Sequence, residues 1–290
     1  MTDTLFISAG PIEWGSSRMR CYWPSKHMDA DVVVWPYPKQ IQFETKYNNY
    51  IFQKYGNPDI QRQLLEMGAS VWLDECDPMW WFSDQEFMRS LFENATGATF
   101  SSEALRLDFL DWWGEDYNAH TIKDRLDFDH FKNKKVHHWT NPVRLIWYGV
   151  SQNRVALSSA WANLSRLMTN GHNITLTVMD DRPMTLIDEQ KDVPIFHTTW
   201  NLDREVAMIA GHDIALLPAY PGPWGKVKSN NKDVYARACN VPVTNAQDYK
   251  ELEKLVTSHE YRKQLADIGS AGLDEYDVKL TAHEWEQLLD

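Results

Sequence analysis

Residues 213–243 read DIALLPAYPGPWGKVKSNNKDVYARACNVPV. The apolar run Ile214 to Leu217 stops at Pro218, and a loop with Pro221, Gly222, Pro223, Trp224 and Gly225 follows. Lys226, Lys228, Ser229, Asn230, Asn231 and Lys232 then arrive together, at the start of a helical segment expected over Ser229 to Cys239 and ahead of a second apolar run, VPV. Strand, loop, helix, strand is the βαβ pattern. In open α/β sheets ligands sit beyond the carboxyl ends of the strands, and helix N-termini favour anions. Lysines and small polar side chains at that point suit a phosphate; the competing reading is a solvated basic helix start.

The same rhythm extends outward. RLIWYGV, from Arg144, reads as a strand that turns at Gly149, and Ile174 to Asp180 as the next. Leu157, Trp161, Leu164 and Met168 share one face of a helix expected over Arg154 to Met168. Further helices are expected at Asp203 to Ile209, Tyr249 to Val256, Glu260 to Ile268 and Thr281 to Leu289. In the first half, strands are expected at Leu5 to Ala9, Asp31 to Trp35, Ser70 to Leu73 and Ala98 to Ser101. Helices are expected at Ile60 to Met67, from Ser83 to about Glu93 (Ser83 capping, Glu86 completing the box), and at Ser102 to Leu110. Between Asp111 and Asn141 the pattern breaks down, which places a linker there. Alternating strands and helices imply parallel sheets covered on both faces. The expected fold is therefore α/β, with two doubly wound Rossmann-like domains, 1–140 and 141–278, facing a cleft. The last helix, 279–290, is expected to pack back on the first domain.

The totals set bounds. A chain of 290 residues accommodates two ordinary domains. A formal charge of −12 and a pI near 5.3 argue against broad, nonspecific attachment to nucleic acid or anionic lipid. Cys21, Cys76 and Cys239 are scattered and form neither a disulfide framework nor a metal spacing, which favours a reducing compartment. The opening MTDTLFISAG lacks a basic start and a long apolar core, and no apolar run approaches the roughly 20 residues of a membrane span. A soluble, cytoplasmic protein is expected. The pairs Trp80-Trp81 and Trp112-Trp113 either fill core or line a groove.

Candidate chemistry is spread over several loops. The first, GPIEWGSSRMR from Gly10, offers small residues at Gly15 and Ser16 and cations at Arg18 and Arg20, a setting that brings backbone N–H groups and a guanidinium to an anion. It is neither a P-loop nor a GxGxxG fingerprint. Glu13 in that loop and Asp77 after the Ser70 to Leu73 strand are candidate bases for an attacking hydroxyl; a cap, an ion pair or a turn is the alternative for each. Asp74 and Glu75 compete with Asp77. Gly149 allows close backbone approach of a ligand, and Ser151 and Asn153 are either ligand contacts or N-caps. Trp200, in HTTWN, either stacks on a base or fills core. Histidines show no HExxH or HxxxH spacing and no GxSxG is present, so metal and serine hydrolysis rank low.

Taken in order, PVRLIWYGVSQN, ITLTVMD, HTTWNLDREVAMIAGHDIALLP and KSNNKDVYARACNVPV resemble the nucleotide-binding domain of GT-B-fold glycosyltransferases. The resemblance covers about half the chain, with SSRMR similar to the family's first loop. It implies a nucleotide-sugar donor held mainly by the second domain and an acceptor on the first. Lys226, Lys228 and the turn Ser229, Asn230, Asn231, Lys232 would hold the diphosphate. Gly149 and Asn153 would approach it, with Gly15, Ser16 and Arg18 from the first loop. Thr198, Thr199 and Trp200 occupy the base-binding position. The family's E-x7-E pair is absent, and Asp233 is the nearest carboxylate. The implied reaction is glycosyl transfer to an acceptor hydroxyl, with no tightly bound cofactor and no metal. The acceptor stays open; a hydroxymethylated pyrimidine in phage DNA is one option, with Lys132, Lys134, Lys135, His137, His138 and Trp139 as the stretch to touch it. A catalytically silent module that binds a nucleotide or sugar is the alternative.

Overall fold

The structure, a computed structural model, describes residues 3–35, 47–114, 116–184 and 192–290. Residue contacts divide the chain into two compact units. Unit 1 comprises Met1–Asp127, Lys226–Asn230 and Tyr276–Asp290; unit 2 comprises Phe128–Gly225 and Asn231–Glu275.

Unit 1 is built on six parallel strands: β1 (Thr4–Ser8), β2 (Asp31–Val34), β3 (Asn49–Gln53), β4 (Ser70–Glu75), β5 (Gly97–Phe100) and β6 (Ala119–Thr121), in the order β2-β1-β3-β4-β5-β6. Alternation sends Tyr50, Phe52, Val71, Leu73, Ala98 and Phe100 to one face, under the helices Pro58–Glu66, Gln85–Glu93 and Glu103–Trp113. Phe6, Ile51 and Trp72 face the other way, against Trp285 of the terminal helix Val278–Leu289. The Trp285 ring meets Phe6 and Trp72 edge-on, at 6.0 and 6.1 Å.

Several expectations for this half need correction. Asp84, not Ser83, caps the helix Gln85–Glu93, its carboxylate accepting from the Phe87 N–H at 2.8 Å. The carboxylate one residue later also carries a negative charge that the helix dipole favours, which a neutral serine hydroxyl lacks. The presumed linker contains β6, and β3 escaped the reading altogether. Trp80 is fully buried, with Trp81, Trp112 and Trp113 packed around the same core. Asp108 accepts from both the Trp80 and Trp81 indoles, at 3.0 and 2.9 Å, so these rings are held by the core.

Unit 2 has five parallel strands: β7 (Val143–Tyr148), β8 (Ile174–Asp180), β9 (Ile195–Thr199), β10 (Ile214–Leu216) and β11 (Val243–Thr244), in the order β11-β10-β7-β8-β9. The helices Trp161–Thr169 and Tyr249–Thr257 cover the face carrying Leu145, Trp147, Leu176 and Val178. The single helix expected over Arg154 to Met168 is instead a 3₁₀ helix, Ser151–Ser159, followed by Trp161–Thr169. Ser158 and Ser159 donate their hydroxyls back to the Val155 and Ala156 carbonyls at 2.7 and 2.9 Å, the competition with the backbone that makes serine a poor helix interior. Ser151 and Asn153 do not cap it; Val150 holds that position without a side-chain bond.

Candidate functional site

In unit 2 the strand carboxyl ends gather the polar groups. A cavity of about 370 Å³ opens there, lined by Met179 of β8, Thr198 and Thr199 of β9, and Asn201, Asp203, Arg204 and Met208. The last of these lies on the helix Glu205–Ala210, and Thr199, Asp203 and Arg204 are exposed at the mouth. Its walls combine hydroxyl, amide, carboxylate and guanidinium groups with two thioethers, a lining suited to a flat polar ring.

Behind it, Trp200 is half-buried and its indole N–H donates to Glu205 at 2.7 Å. Glu205 is buried, and it also accepts from the Tyr235 hydroxyl at 2.7 Å, with His130 Nε2 at 2.8 Å. Glu205 was not singled out from sequence, although it lay inside the helix expected from Asp203.

At the end of β7 the chain turns at Gly149. Tyr148 donates its hydroxyl to the Lys232 carbonyl at 2.5 Å, and Lys232 Nζ lies 5.1 Å over the Trp147 ring. A side chain on Gly149 would collide with that ammonium, its Cβ standing 2.5 Å from Nζ. Lys232 is the second residue of the helix Asn231–Ala238, so ammonium and helix N-terminus share one location. Asp233 pairs with Arg237 at 2.6 Å; burial nevertheless raises its carboxyl above the ordinary value.

The β8 end is charged but satisfied. Asp180 is buried and held by Arg154 (Nη2 at 2.6 Å), His197 (2.8 Å) and the Arg182 N–H (3.2 Å). Burial pushes its carboxyl up, and these partners outweigh it, leaving the group below the usual range. Asp181 accepts from the Ser151 N–H at 2.6 Å, tying the Asn153 segment to β8.

Unit 1 has its own polar edge. In the first loop Gln53 Oε1 accepts from the Ala9 N–H at 3.0 Å and from Ser17 at 3.2 Å. Arg18 is buried and donates to the Ile12 and Glu13 carbonyls at 3.0 and 3.1 Å, closing the loop from within. Glu13 is exposed, while Gly15 and Ser16 are half-buried in a short helical turn. Arg20 is also buried, bonded to Asp74 and, at 3.3 Å, to Asp124.

Asp77 lies between two ammonium groups, Lys54 on one oxygen and Lys228 on the other. Burial pushes its carboxyl up; Lys54 and Lys228 reverse that and hold it below the ordinary range. Lys54 has a left-handed backbone, φ 60°, at the end of β3, a conformation that costs a non-glycine residue about 1–3 kcal/mol and clusters at functional sites. Glu75 is buried with Oε2 unpartnered, and burial beside Asp74 and Asp77 raises its carboxyl well above normal despite Lys54. Ser229 donates to Asp124, and Asn230 to the Tyr276 hydroxyl at 3.0 Å.

The sequence-derived set therefore divides. Gly149, Asn231, Lys232 and Asp233 meet at the β7 end, and Thr199 and Trp200 flank the cavity. Lys226, Lys228, Ser229 and Asn230 group with unit 1, although their sequence position suggested the second half; there Lys228 bonds to Asp77, Ser229 to Asp124 and Asn230 to Tyr276. Lys54, which shares Asp77 with Lys228, had no motif to announce it.

Among the described residues, no three His, Cys, Asp or Glu side chains gather into a metal-binding group, and no helix is long and apolar enough to cross a membrane. No protein-family model matches the chain, and no curated protein matches it. Solved structures do. HepE of Anabaena, in complex with UDP and glucose, superposes with a TM-score of 0.71 over 100% of this chain and 99% of its own, at 12% identity. A glycosyltransferase from Rickettsia africae ESF-5 gives 0.72 over 99% and 97%, at 8% identity. This is the GT-B fold. TarM shares it with a TM-score of 0.61 and 13% identity over 83% of this chain, which spans about half of TarM's length, 54%. At such identities the likeness shows the GT-B architecture, and function rests on the site.

Proposed function

We propose that this chain is a glycosyltransferase that moves a sugar from a nucleoside diphosphate sugar to an acceptor hydroxyl. One observation carries the reading: the cavity at the β8 and β9 ends lies in the same unit, on the same carboxyl edge, as the turn where Gly149 meets Lys232 at a helix start. A nucleoside fits the first and a diphosphate the second. The fold shared with HepE, solved with UDP and glucose, supports a UDP-sugar as donor.

In this reading Thr198, Thr199 and Trp200 hold the nucleoside, and Asn231 and Lys232 hold the diphosphate, with Gly149 admitting it. Lys232 and the helix dipole stabilise the diphosphate as it leaves, where negative charge accumulates. Between the two candidate bases Glu13 is better suited, because Asp77 is held ionised by two ammonium groups and so takes a proton poorly. Asp77 is assigned to holding Lys228.

The test is a thermal-shift panel of nucleoside diphosphates and their sugar conjugates. A ligand that binds only the native state raises the melting point, and about 2.7 kcal/mol of stabilisation is expected at a hundredfold excess over Kd. UDP and a UDP-sugar are expected to respond; silence across the panel removes the reading. Slow release of UDP from the responding sugar nucleotide separates an enzyme from a silent binding module. A hydroxymethylated pyrimidine in DNA is the proposed acceptor to try first. Lys132, Lys134 and Trp139 are exposed on the basic stretch, while Lys135 is buried on Asp213. Binding to such DNA would weaken steeply with salt.

A further inference from the structure

Glu205 belongs to no motif, yet it is a buried carboxylate near the unit 2 cavity with three side-chain partners, Trp200, Tyr235 and His130. It opens the helix Glu205–Ala210, directly after the cavity residues Asp203 and Arg204 and one turn before Met208. One oxygen accepts from Trp200 Nε1 at 2.7 Å. Trp200 follows Thr199, the last residue of β9, so this bond fixes the exit of the strand whose Thr198 and Thr199 line the cavity. The other oxygen accepts from the Tyr235 hydroxyl at 2.7 Å and lies 2.8 Å from His130 Nε2. Tyr235 sits on the helix Asn231–Ala238, one turn beyond Asn231 and Lys232. A single buried carboxylate thus grips both the β9 exit and the Lys232 helix.

We propose that Glu205 is a positioning residue that sets the spacing between the nucleoside cavity and the diphosphate turn. The proposal rests on the nucleotide-sugar reading above and adds the element that makes two half-sites read one ligand. A nucleoside and its diphosphate are covalently joined, so a rotation of the Lys232 helix relative to the β9 exit separates contacts that must be made together. Charge-assisted hydrogen bonds to a buried carboxylate resist such a rotation, and hydrogen bonds of that kind are worth more than neutral ones. Ordering the two halves in advance removes part of the cost of binding.

The test measures uridine and UDP affinities by calorimetry, with melting points alongside. Wild type is expected to bind UDP more tightly than uridine. Trp200→Phe deletes one donor to Glu205 and is expected to weaken uridine and UDP alike. Tyr235→Phe deletes the hydroxyl donor on the second oxygen, leaving His130 there, and is expected to lower only UDP, shrinking the UDP-to-uridine ratio about tenfold, the scale of one charge-assisted bond. Glu205→Ala is expected to lose both, and Glu205→Gln, which keeps an acceptor oxygen, to recover part. If Glu205→Ala does not fold, the two single-donor variants still decide. A purely structural carboxylate would lower melting points in all four variants and leave the ratio unchanged, and that result overturns the proposal. Wild type that binds neither ligand overturns the nucleotide-sugar reading and this inference with it. Wild type that binds while both single-donor variants match it overturns this inference alone.

Discussion

Gly149 and Lys232 meet at the carboxyl end of β7, so close that a methyl on the glycine would stand 2.5 Å from the ammonium nitrogen and 3.2 Å from its Cε. The contact is with the flexible end of a lysine, which can yield so that the ammonium does not keep its place, and the positive φ of Gly149, 157°, adds backbone strain for any side chain. Gly149→Ala is therefore expected to fold and to bind UDP roughly tenfold more weakly, the loss of about one charge-assisted hydrogen bond. Calorimetry with UDP checks this; affinity within twofold of wild type would mean that Lys232 does not need the space.

Lys228 shares the Asp77 carboxylate with Lys54 but is itself more than a third exposed. Lys228→Ala leaves Asp77 paired, so the stability cost is expected at or below about 1 kcal/mol. Diphosphate binding is expected to be abolished if Lys228 is a donor contact. Urea melts and UDP titration separate the two, and unchanged affinity takes Lys228 out of the site.

Asp213 is fully buried beside Lys135, at 2.9 Å, and accepts from Arg144 Nε at 3.1 Å and the Arg144 N–H at 2.9 Å. Burial pushes the carboxyl up, and Arg144 and Lys135 more than reverse it, holding it well below the usual range; burial still leaves Lys135 below the ordinary ammonium value. Asp213→Asn strands a buried ammonium and is expected to cost about 3–5 kcal/mol. A carboxyl depressed on folding stabilises at pH values above its unfolded value, about 3.9, and that contribution is lost as pH falls through the folded value. The gap between wild type and variant in urea melts should thus narrow from pH 5 to pH 2.

Glu75 has the opposite sign. Its carboxyl is raised on folding, so its contribution is full below the unfolded value, about 4.3, and is lost as pH rises toward the folded one. Glu75→Gln keeps the shape without the ionisation. The stability of the variant relative to wild type is expected to climb between pH 4 and pH 8, and an offset that stays flat with pH would contradict a raised carboxyl.

The free thiols Cys21, Cys76 and Cys239 are all buried, and burial pushes Cys76 up to about 12. Thiolate is the reactive form. Native protein is expected to release essentially no chromophore from a disulfide reagent at pH 8, and denatured protein to titrate all three cysteines.

Much of the unit 2 framework was legible because its signals are local. Ile174 to Val178 alternates apolar and polar residues, and the strand Ile174–Asp180 matches its expected bounds residue for residue. The helix expected from Ser229 begins two residues later, at Asn231, so Lys232 still falls in its first turn. β3 was missed although Gly56-Asn57-Pro58 marks a turn after it; it lies between β1 and β4, a pairing invisible to a window of neighbouring residues. The tryptophan pairs, open in sequence to core or groove, fill core, with Phe92, Phe100 and Phe109 around Trp80.

From its own pattern the chain determined that it would make parallel α/β sheets and where the glycine turn and the Lys232 helix start would fall, because backbone propensity and hydrophobic period act over a few residues. Which charges meet was decided only in three dimensions. Lys54 finds Asp77, Lys228 joins them from far along the chain, and Glu205 gathers His130, Trp200 and Tyr235. Burial makes each such partnership obligatory, since an ion removed from water must find its counterpart wherever the fold brings one.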